Sequence, residues 1–166
     1  MAEVPKPAFA ALNVGNEDTQ KGKYLTFHMF EENYGIEIRF VTEIIGIQRI
    51  TEVPDMPAFI KGVVNLRGKV IPVMDVRARF SIPAREYDER TCIIVVQLNT
   101  TSVGLVVDKV NEVVDIPPQN IEPPPRTSVG NSTEYIQGMG KMGDRVIILL
   151  NVGKLLYDSD LEEIDL

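Results

Sequence analysis

The sequence predicts a mainly β protein with short helical turns, in which two small β-barrels related by an internal duplication lie side by side. Three observations support this fold. Apolar and polar residues alternate in short runs, turn-forming residues separate these runs, and a unit of about seventy residues occurs twice.

Composition limits the classes of function. The chain has 166 residues, of which 44% are hydrophobic and 25% charged, as in soluble globular proteins, and its net charge is -7. A negative field repels nucleic acid and anionic lipid headgroups, so neither is an expected partner. No apolar run reaches the ~20 residues of a membrane helix, and the first residues lack a signal-peptide pattern. We therefore expect a cytoplasmic protein without direct membrane insertion.

The first predicted strand follows a leader. Residues 1–20 are Ala, Pro and polar residues without a period, which predicts a flexible leader. The run LTFHMF (25–30) then alternates, and it places Leu25, Phe27 and Met29 on one face. This pattern is typical of a half-buried β-strand.

A second alternating run, YGIEI (34–38), follows the turn EENYG and predicts another strand. In the next run, FVTEIIG (40–46), the apolar residues Val41, Ile44 and Ile45 stand at helical spacing. This spacing predicts a helix of about one turn.

A hairpin is predicted over FIKGVVNLRGKVIPVMDVR (59–77). Its turn, NLRG, separates the asparagine and the glycine by two residues, which predicts a four-residue turn rather than a two-residue one. Gly68 would take a positive φ there, and Arg67 would point outward. The polar segment 77–90 is predicted to connect the two barrels.

The duplication is visible as two gapless alignments. YGIEIRFVTEIIGI (34–47) aligns on VGLVVDKVNEVVDI (103–116), and FIKGVVNLRGKVIPVMDV (59–76) aligns on YIQGMGKMGDRVIILLNV (135–152). The spacing between the copies grows by seven residues, which fall in the proline-rich stretch 117–134. A surface loop would accept such an insertion. We expect a first barrel over about 21–85, a second over about 86–152, and a binding groove at their seam.

The acidic end of the chain is read separately. YDSDLEEIDL has apolar residues three positions apart and candidate capping residues before them. Two readings stay open for the tail at 158–166, a solvated end or a short helix.

Few residues have the chemistry that catalysis needs. The chain has one histidine, His28, in a predicted strand, and one cysteine, Cys92, in the apolar run CIIVVQL. No nucleophile with a base, no phosphate loop and no calcium loop stands out, and the aspartates are scattered. We therefore expect no enzyme, no metal and no cofactor, and a function in recognition.

Several segments resemble the CheW family of bacterial chemotaxis coupling proteins. They are EENYGIEI, VTEI, MPAFIKGVVNLRGKVIPVMDVR, VGLVVDKV and STEYIQGMGKMGDRVIILLNVGKLL, and the resemblance covers about residues 20–157. Related segments also occur in the regulatory domain of the kinase CheA and in CheV. The length leaves no room for a kinase or receiver domain, which favours a stand-alone adaptor.

The resemblance implies two SH3-like five-stranded barrels and a non-catalytic adaptor. Such an adaptor joins the cytoplasmic tips of methyl-accepting chemoreceptors to the regulatory domain of the histidine kinase CheA. The expected place is the cytoplasm, with recruitment to membrane-bound receptor arrays. A rival interpretation is a small-molecule-sensing or kinase-regulatory domain with a cleft between the barrels, which would need several convergent polar groups.

Site residues follow from the resemblance and the repeat. The expected receptor-binding groove comprises Ile38, Val41, Glu43, Gly62, Arg67 and Val103. The expected kinase-binding surface includes Met139 and Met142, because methionine adapts to partners. Core packing for Val41 and both methionines, and a β-bulge at Gly62, remain alternatives.

Arg67 is the most specific of these residues. Its counterpart in the second copy is Gly143, so the fold alone does not require an arginine. The resemblance implies that Glu43 lies close to it. Arg67 then either orients the segment that carries Glu43 or binds a partner carboxylate directly.

Overall fold

The computed structural model of the chain describes residues 20–125 and 135–156. The predicted leader up to residue 19, the end of the proline-rich stretch and the acidic tail lie outside the described residues. Within them the chain is mainly β, as predicted.

Eleven strands and two short α-helices form the described part of the fold. The strands are β1 (Lys23–Met29), β2 (Glu32–Glu37), β3 (Val41–Gly46), β4 (Ile60–Leu66), β5 (Lys69–Asp75), β6 (Cys92–Leu98), β7 (Thr101–Val107), β8 (Lys109–Asp115), β9 (Ile121–Glu122), β10 (Ile136–Met142) and β11 (Arg145–Leu150). The helices are α1 (Val76–Arg79) and α2 (Val152–Leu156), and 3₁₀ turns occupy Ile38–Phe40 and Pro118–Asn120.

The strands form two sheets, and each sheet combines strands from both halves of the sequence. Sheet A is six-stranded in the order β8-β1-β2-β11-β10-β9, and sheet B is five-stranded in the order β3-β6-β7-β5-β4. Neither order returns to its first strand, so the predicted closure into SH3-like barrels is not confirmed. The division of the sequence at residues 85 and 86 stays a prediction about the repeat.

The duplication accounts for the pairing of both sheets. Val73 of β5 lies opposite Gly104 of β7 in a parallel pair, and the aligned residues Leu149 of β11 and Gly35 of β2 do the same. The hairpins β4–β5 and β10–β11 also share a register shift, which lies at Gly62 in β4 and at the aligned Gly138 in β10. The two sheets are therefore built alike, with strands exchanged between the halves.

Three apolar clusters stabilise this arrangement. The largest lies between the sheets and includes Leu25, Phe27 and Met29, as the alternation in β1 predicts. A second cluster belongs to sheet B alone and includes Ile71 and Ile93. A third belongs to sheet A. Because each sheet has a small core of its own, each must curve around that core.

The predicted helix over 40–46 is wrong. The helical turn ends at Phe40, and β3 then pairs with β6, with a register shift between Val41 and Glu43. Ile44 packs in the cluster between the sheets, whereas Ile45 packs in the cluster of sheet B. Burial on both faces, together with the bulge, produces the spacing that resembled a helix.

Candidate protein-binding surface

The first hairpin turns more tightly than predicted. Leu66 pairs with Lys69, so Arg67 and Gly68 alone form the turn, with φ angles of 52° and 86°. Positive φ at both central residues is the pattern of a type I′ turn, which matches the twist of a hairpin. The side chain of Asn65 accepts a hydrogen bond from the amide of Gly68 at 2.8 Å and fixes the turn.

Arg67 pairs with Glu43 through both ends of its guanidinium group. Nη1 donates to Oε1 at 3.2 Å and Nη2 donates to Oε2, which is a bidentate contact. The side chain of Arg67 is 73% exposed, whereas that of Glu43 is 23% exposed. The hydrogen bond and the charge of Glu43 raise the pKa of Arg67. The arginine is both displayed and held in place.

This ion pair joins the two edges of sheet B. Glu43 lies on β3 at one edge, and Arg67 follows β4 at the other. Sheet B therefore curves far enough to bring its edges within reach of two side chains, although no ladder joins them. The curvature creates a charged, exposed site from residues 24 positions apart in the chain.

Gly62 has a role within the chain itself. Its φ is 151°, and a Cβ added there would lie 2.0 Å from the carbonyl oxygen of Thr51. Thr51 and Val63 exchange two backbone hydrogen bonds of 2.9 and 2.8 Å beside it. The structure therefore shows a β-bulge at Gly62, which was the alternative interpretation of this residue. The backbone that approaches it closely is that of Thr51 in the same chain.

Three expected groove residues are core residues in the unbound chain. Ile38, Val41 and Val103 are at most 3% exposed and share the cluster between the sheets. Val41 lies next to the exposed ion pair along β3, but its side chain does not reach the surface. Their expected contact with a receptor stays a prediction; within the set Arg67 is exposed and Glu43 is half-buried.

The two expected kinase-contacting methionines lie in different surroundings. Met142 packs partly against the small core of sheet A. Met139 is half-buried in β10, between Ile148 of β11 and Glu122 of β9. A partner contact is more compatible with the position of Met139, and for both residues it stays a prediction.

The histidine and the cysteine are far from a catalytic arrangement. Nδ1 of His28 lies 3.4 Å from Oδ1 of Asn33, and both residues are half-buried. Burial raises the pKa of the Cys92 thiol, which makes it a poorer nucleophile. Within residues 20–125 and 135–156, no three His, Cys, Asp or Glu side chains are grouped as a metal site.

A buried ionic network was missed from the sequence. Arg77 donates to both carboxylate oxygens of Asp108, at 2.9 and 2.8 Å, and both side chains are under 10% exposed. The amide of Phe30 also donates to Asp108, at 3.0 Å. Burial acts to raise the pKa of Asp108, but the hydrogen bonds from Arg77 and Phe30 outweigh it and lower the pKa.

This network connects the two sheets at one junction. Arg77 lies in α1 after sheet B, whereas Phe30 lies in the β1–β2 turn of sheet A. Asp75 caps α1 and accepts a hydrogen bond of 2.8 Å from the hydroxyl of Tyr87. Charged residues in a polar connection gave no signal of burial, so only the fold identifies them.

Two aligned valines are also exposed. Val70 is 63% exposed on the first hairpin, and its aligned partner Val146 is 47% exposed on the second. The repeat alignment pairs them, but alternation alone does not show that this face of each hairpin is uncovered. Among the described residues, Phe30 is the other large apolar side chain at the surface.

These features describe a two-sheet β module whose charged surface is suited to protein recognition. No helix in the described part of the chain is long and apolar enough to cross a bilayer. Comparison with known proteins then identifies the family. The CheW-like domain matches residues 23–160. The chain is 38% identical over 148 residues to the chemotaxis protein CheW of Klebsiella aerogenes, covering 89% of each chain.

Two further comparisons agree. The chain is 33% identical over 135 residues to the chemotaxis protein CheW of Helicobacter pylori, covering 81% of each. The crystal structure of scaffolding protein TtCheW from Thermoanaerobacter tengcongensis superposes with a TM-score of 0.77 at 37% identity, covering 84% of this chain and 94% of that one. The chain belongs to the CheW-like family, and the resemblance found in its sequence is confirmed.

Proposed function

We propose that the chain is a non-catalytic coupling adaptor that joins chemoreceptors to the histidine kinase CheA. The observation that supports this most strongly is the match of nearly the whole described chain to chemotaxis CheW proteins and to a protein described as a scaffold. Such an adaptor works in the cytoplasm and is recruited to membrane-bound receptor arrays. The small-molecule-sensing alternative is not favoured by these relatives.

The receptor side of the adaptor is proposed to centre on Glu43 and Arg67. The contact is bidentate and Arg67 is exposed, which leaves the remaining donors of Arg67 for a partner carboxylate. Gly62 supports this site by shaping the bulge behind the hairpin. The buried side chains of three core residues lie in the interior beneath this site: Ile38, Val41 and Val103.

The kinase side is proposed to lie on the second hairpin. Met139 and the exposed Val146 offer apolar area on β10 and β11, and Met142 lies at the end of β10. Apolar centres with polar surroundings are the usual anatomy of protein interfaces. The regulatory domain of CheA is the proposed partner for this surface.

A sedimentation assay tests the proposal. Receptor-containing membranes are mixed with CheA in the presence and absence of the chain, and bound CheA and its autophosphorylation are measured. We expect the chain to bring CheA to the membranes and to increase its activity. If CheA stays in the supernatant at saturating chain, the adaptor proposal is refuted.

A further inference from the structure

A polar pocket of about 620 Å³ opens at the end of sheet A that carries the β1–β2 turn. Pockets of about 300–1,000 Å³ are the size that small ligands occupy. The side chains that matter for its chemistry come from four strands and the connection before β6, and they are His28, Asn33, Arg90, Lys109, Glu112 and Arg145.

The strand register places the centre of this pocket on one face of sheet A. His28 of β1 lies directly opposite Lys109 of β8 on one side and Asn33 of β2 on the other. Residues opposite one another on neighbouring strands share a face. Tyr24, two pairs further along β1, points to the same face and belongs to the small core of sheet A. The pocket therefore lies on the same face of sheet A as that core.

Cations outnumber carboxylates in the pocket by three to one. The charged groups of Arg90 and Lys109 have no carboxylate partner within residues 20–125 and 135–156. The nearest carboxylate to Arg145 is Glu112 at 3.9 Å, and both side chains are about half exposed. By contrast, Lys23 pairs with Asp115 at 2.9 Å on the same sheet. In a chain of net charge -7, a group of poorly paired cations is unusual.

The neutral side chains of the pocket add hydrogen-bond donors. Oδ1 of Asn33 accepts a hydrogen bond from Nδ2 of Asn111 at 3.3 Å, which leaves the amide nitrogen of Asn33 as a donor. Val110 is the one apolar residue of the lining, and His28 supplies its one aromatic ring. Recognition here would depend on charge and on N–H donors.

We propose that this pocket binds a compact polyanion of the diphosphate class. Arg90 and Arg145 present planar guanidinium groups that suit phosphate oxygens, and Lys109 adds a third positive charge. The negative charges elsewhere on the chain do not prevent this, since the Debye length at physiological salt is about 8 Å. The proposal goes beyond the adaptor function, and it is tested on the chain alone.

The single histidine makes a direct test possible. His28 is the one histidine of the chain, so the ring signals of ¹⁵N-labelled protein report on this pocket without assignment of other residues. Inorganic pyrophosphate is added to the full chain at constant pH and ionic strength, and the shifts are followed by NMR. We expect saturable shifts of the His28 ring, and at least tenfold weaker binding of citrate, which lacks phosphate oxygens.

Variants identify the cations responsible. The double variant Lys109→Ala with Arg145→Ala should weaken pyrophosphate binding by about tenfold or more. Lys69→Ala is the matched control, because Lys69 is the first-half counterpart of Arg145 and lies outside the pocket; it should bind as the wild type does. These side chains are exposed, so thermal unfolding should be unchanged. The absence of saturable shifts, equal binding of citrate, or an equal effect of Lys69→Ala would overturn the proposal.

Discussion

The two halves of the chain are paired in the same register, yet their surfaces differ. The first hairpin displays Arg67 at its turn and binds Glu43, whereas the second has Gly143 at the same place. The counterpart of Glu43 is Glu112, which contacts Arg145 only at 3.9 Å beside the pocket of sheet A. The shared positions are those that the sheets need, and the differing positions are candidates for separate partners.

The junctions between the sheets differ as well. At one junction Arg77 and Asp108 form a buried ion pair. At the other junction the corresponding positions hold Gly153 and Arg39, and Arg39 pairs with its neighbour Glu37 at the surface. The two equivalent junctions therefore differ, and the one that contains the buried Arg77–Asp108 pair is the locked junction. Variants at matched positions of the two halves test this asymmetry.

Val41→Glu should unfold the chain, whereas the same change at its second-half counterpart, Val110, should not. A glutamate at a position 2% exposed would be buried without a partner, at a cost of about 4 kcal/mol or more. Val110 is half-buried beside an open pocket, so Val110→Glu should cost about 1 kcal/mol. Urea denaturation followed by circular dichroism measures both. A Val41→Glu variant as stable as the wild type would show that Val41 is not a core residue.

Removing one partner of the locked junction should have the next largest effect. Arg77→Ala removes the bidentate partner of the buried Asp108 and leaves it the amide of Phe30 and a longer contact of 3.4 Å to Arg85, which should cost about 3 kcal/mol. The double variant Arg77→Met with Asp108→Leu should recover most of this loss, because two apolar side chains replace the pair. Arg39→Ala at the other junction is the control and should change stability by under about 0.5 kcal/mol. Equal effects of Arg77→Ala and Arg39→Ala would contradict the asymmetry.

The sequence predicted the repeat and most of the strands, though not β3, because alternation and alignment depend on local pattern. It also predicted that Arg67 is displayed near Glu43, through the family resemblance. It did not predict which strands pair, since alternation assigns faces but not neighbours. The exchange of strands between the halves was therefore missed, as was the tight turn at Arg67.

For the candidate sites too, the sequence suggested some residues correctly and missed how others are placed by the fold. Ile38 and Val41 were expected in a groove because their family positions suggested contact, yet the fold buries them. The Arg77–Asp108 pair and the cations of the pocket are distant in sequence, and only the sheet order brings them together. Charged side chains in polar segments give no signal of such convergence.

Alanine at the two bulge glycines should destabilise the first hairpin more than the second, and both losses of stability should be smaller than that of Arg77→Ala. Gly62→Ala places a Cβ against the backbone oxygen of Thr51 and forces an L residue to a φ of 151°, which should cost about 2–3 kcal/mol. A Cβ at Gly138 would meet the side chain of Ile121 at 2.7 Å, which can move, so Gly138→Ala should cost about 1 kcal/mol. Thermal unfolding measures both. The reverse order would show that the first bulge is not constrained by Thr51.

Acid should weaken the locked junction selectively. The pKa of Asp108 is lower in the folded chain than its ordinary value of 3.8, so its ionised form stabilises the fold above that value. This contribution is lost as the pH falls below 3.8 through the folded-state pKa. We expect Asp108→Asn to be less stable than the wild type at neutral pH, with the difference shrinking in that acid range. A difference independent of pH would show that ionisation of Asp108 does not stabilise the fold.

Kinase activation by variants of the exposed ion pair is the most direct test of the adaptor account. Membranes bearing receptors are combined with CheA and with wild-type chain, Arg67→Ala, Glu43→Arg, Arg67→Glu or the charge-swapped double variant, and Lys23→Ala, which breaks the ion pair with Asp115 on sheet A, is the control. We predict that each single change at Glu43 or Arg67 lowers activation while leaving the fold intact, and that Lys23→Ala does not. Recovery in the double variant would assign the pair a positioning role, whereas a persistent defect would assign Arg67 to direct contact. Full activation by Arg67→Ala would contradict the account.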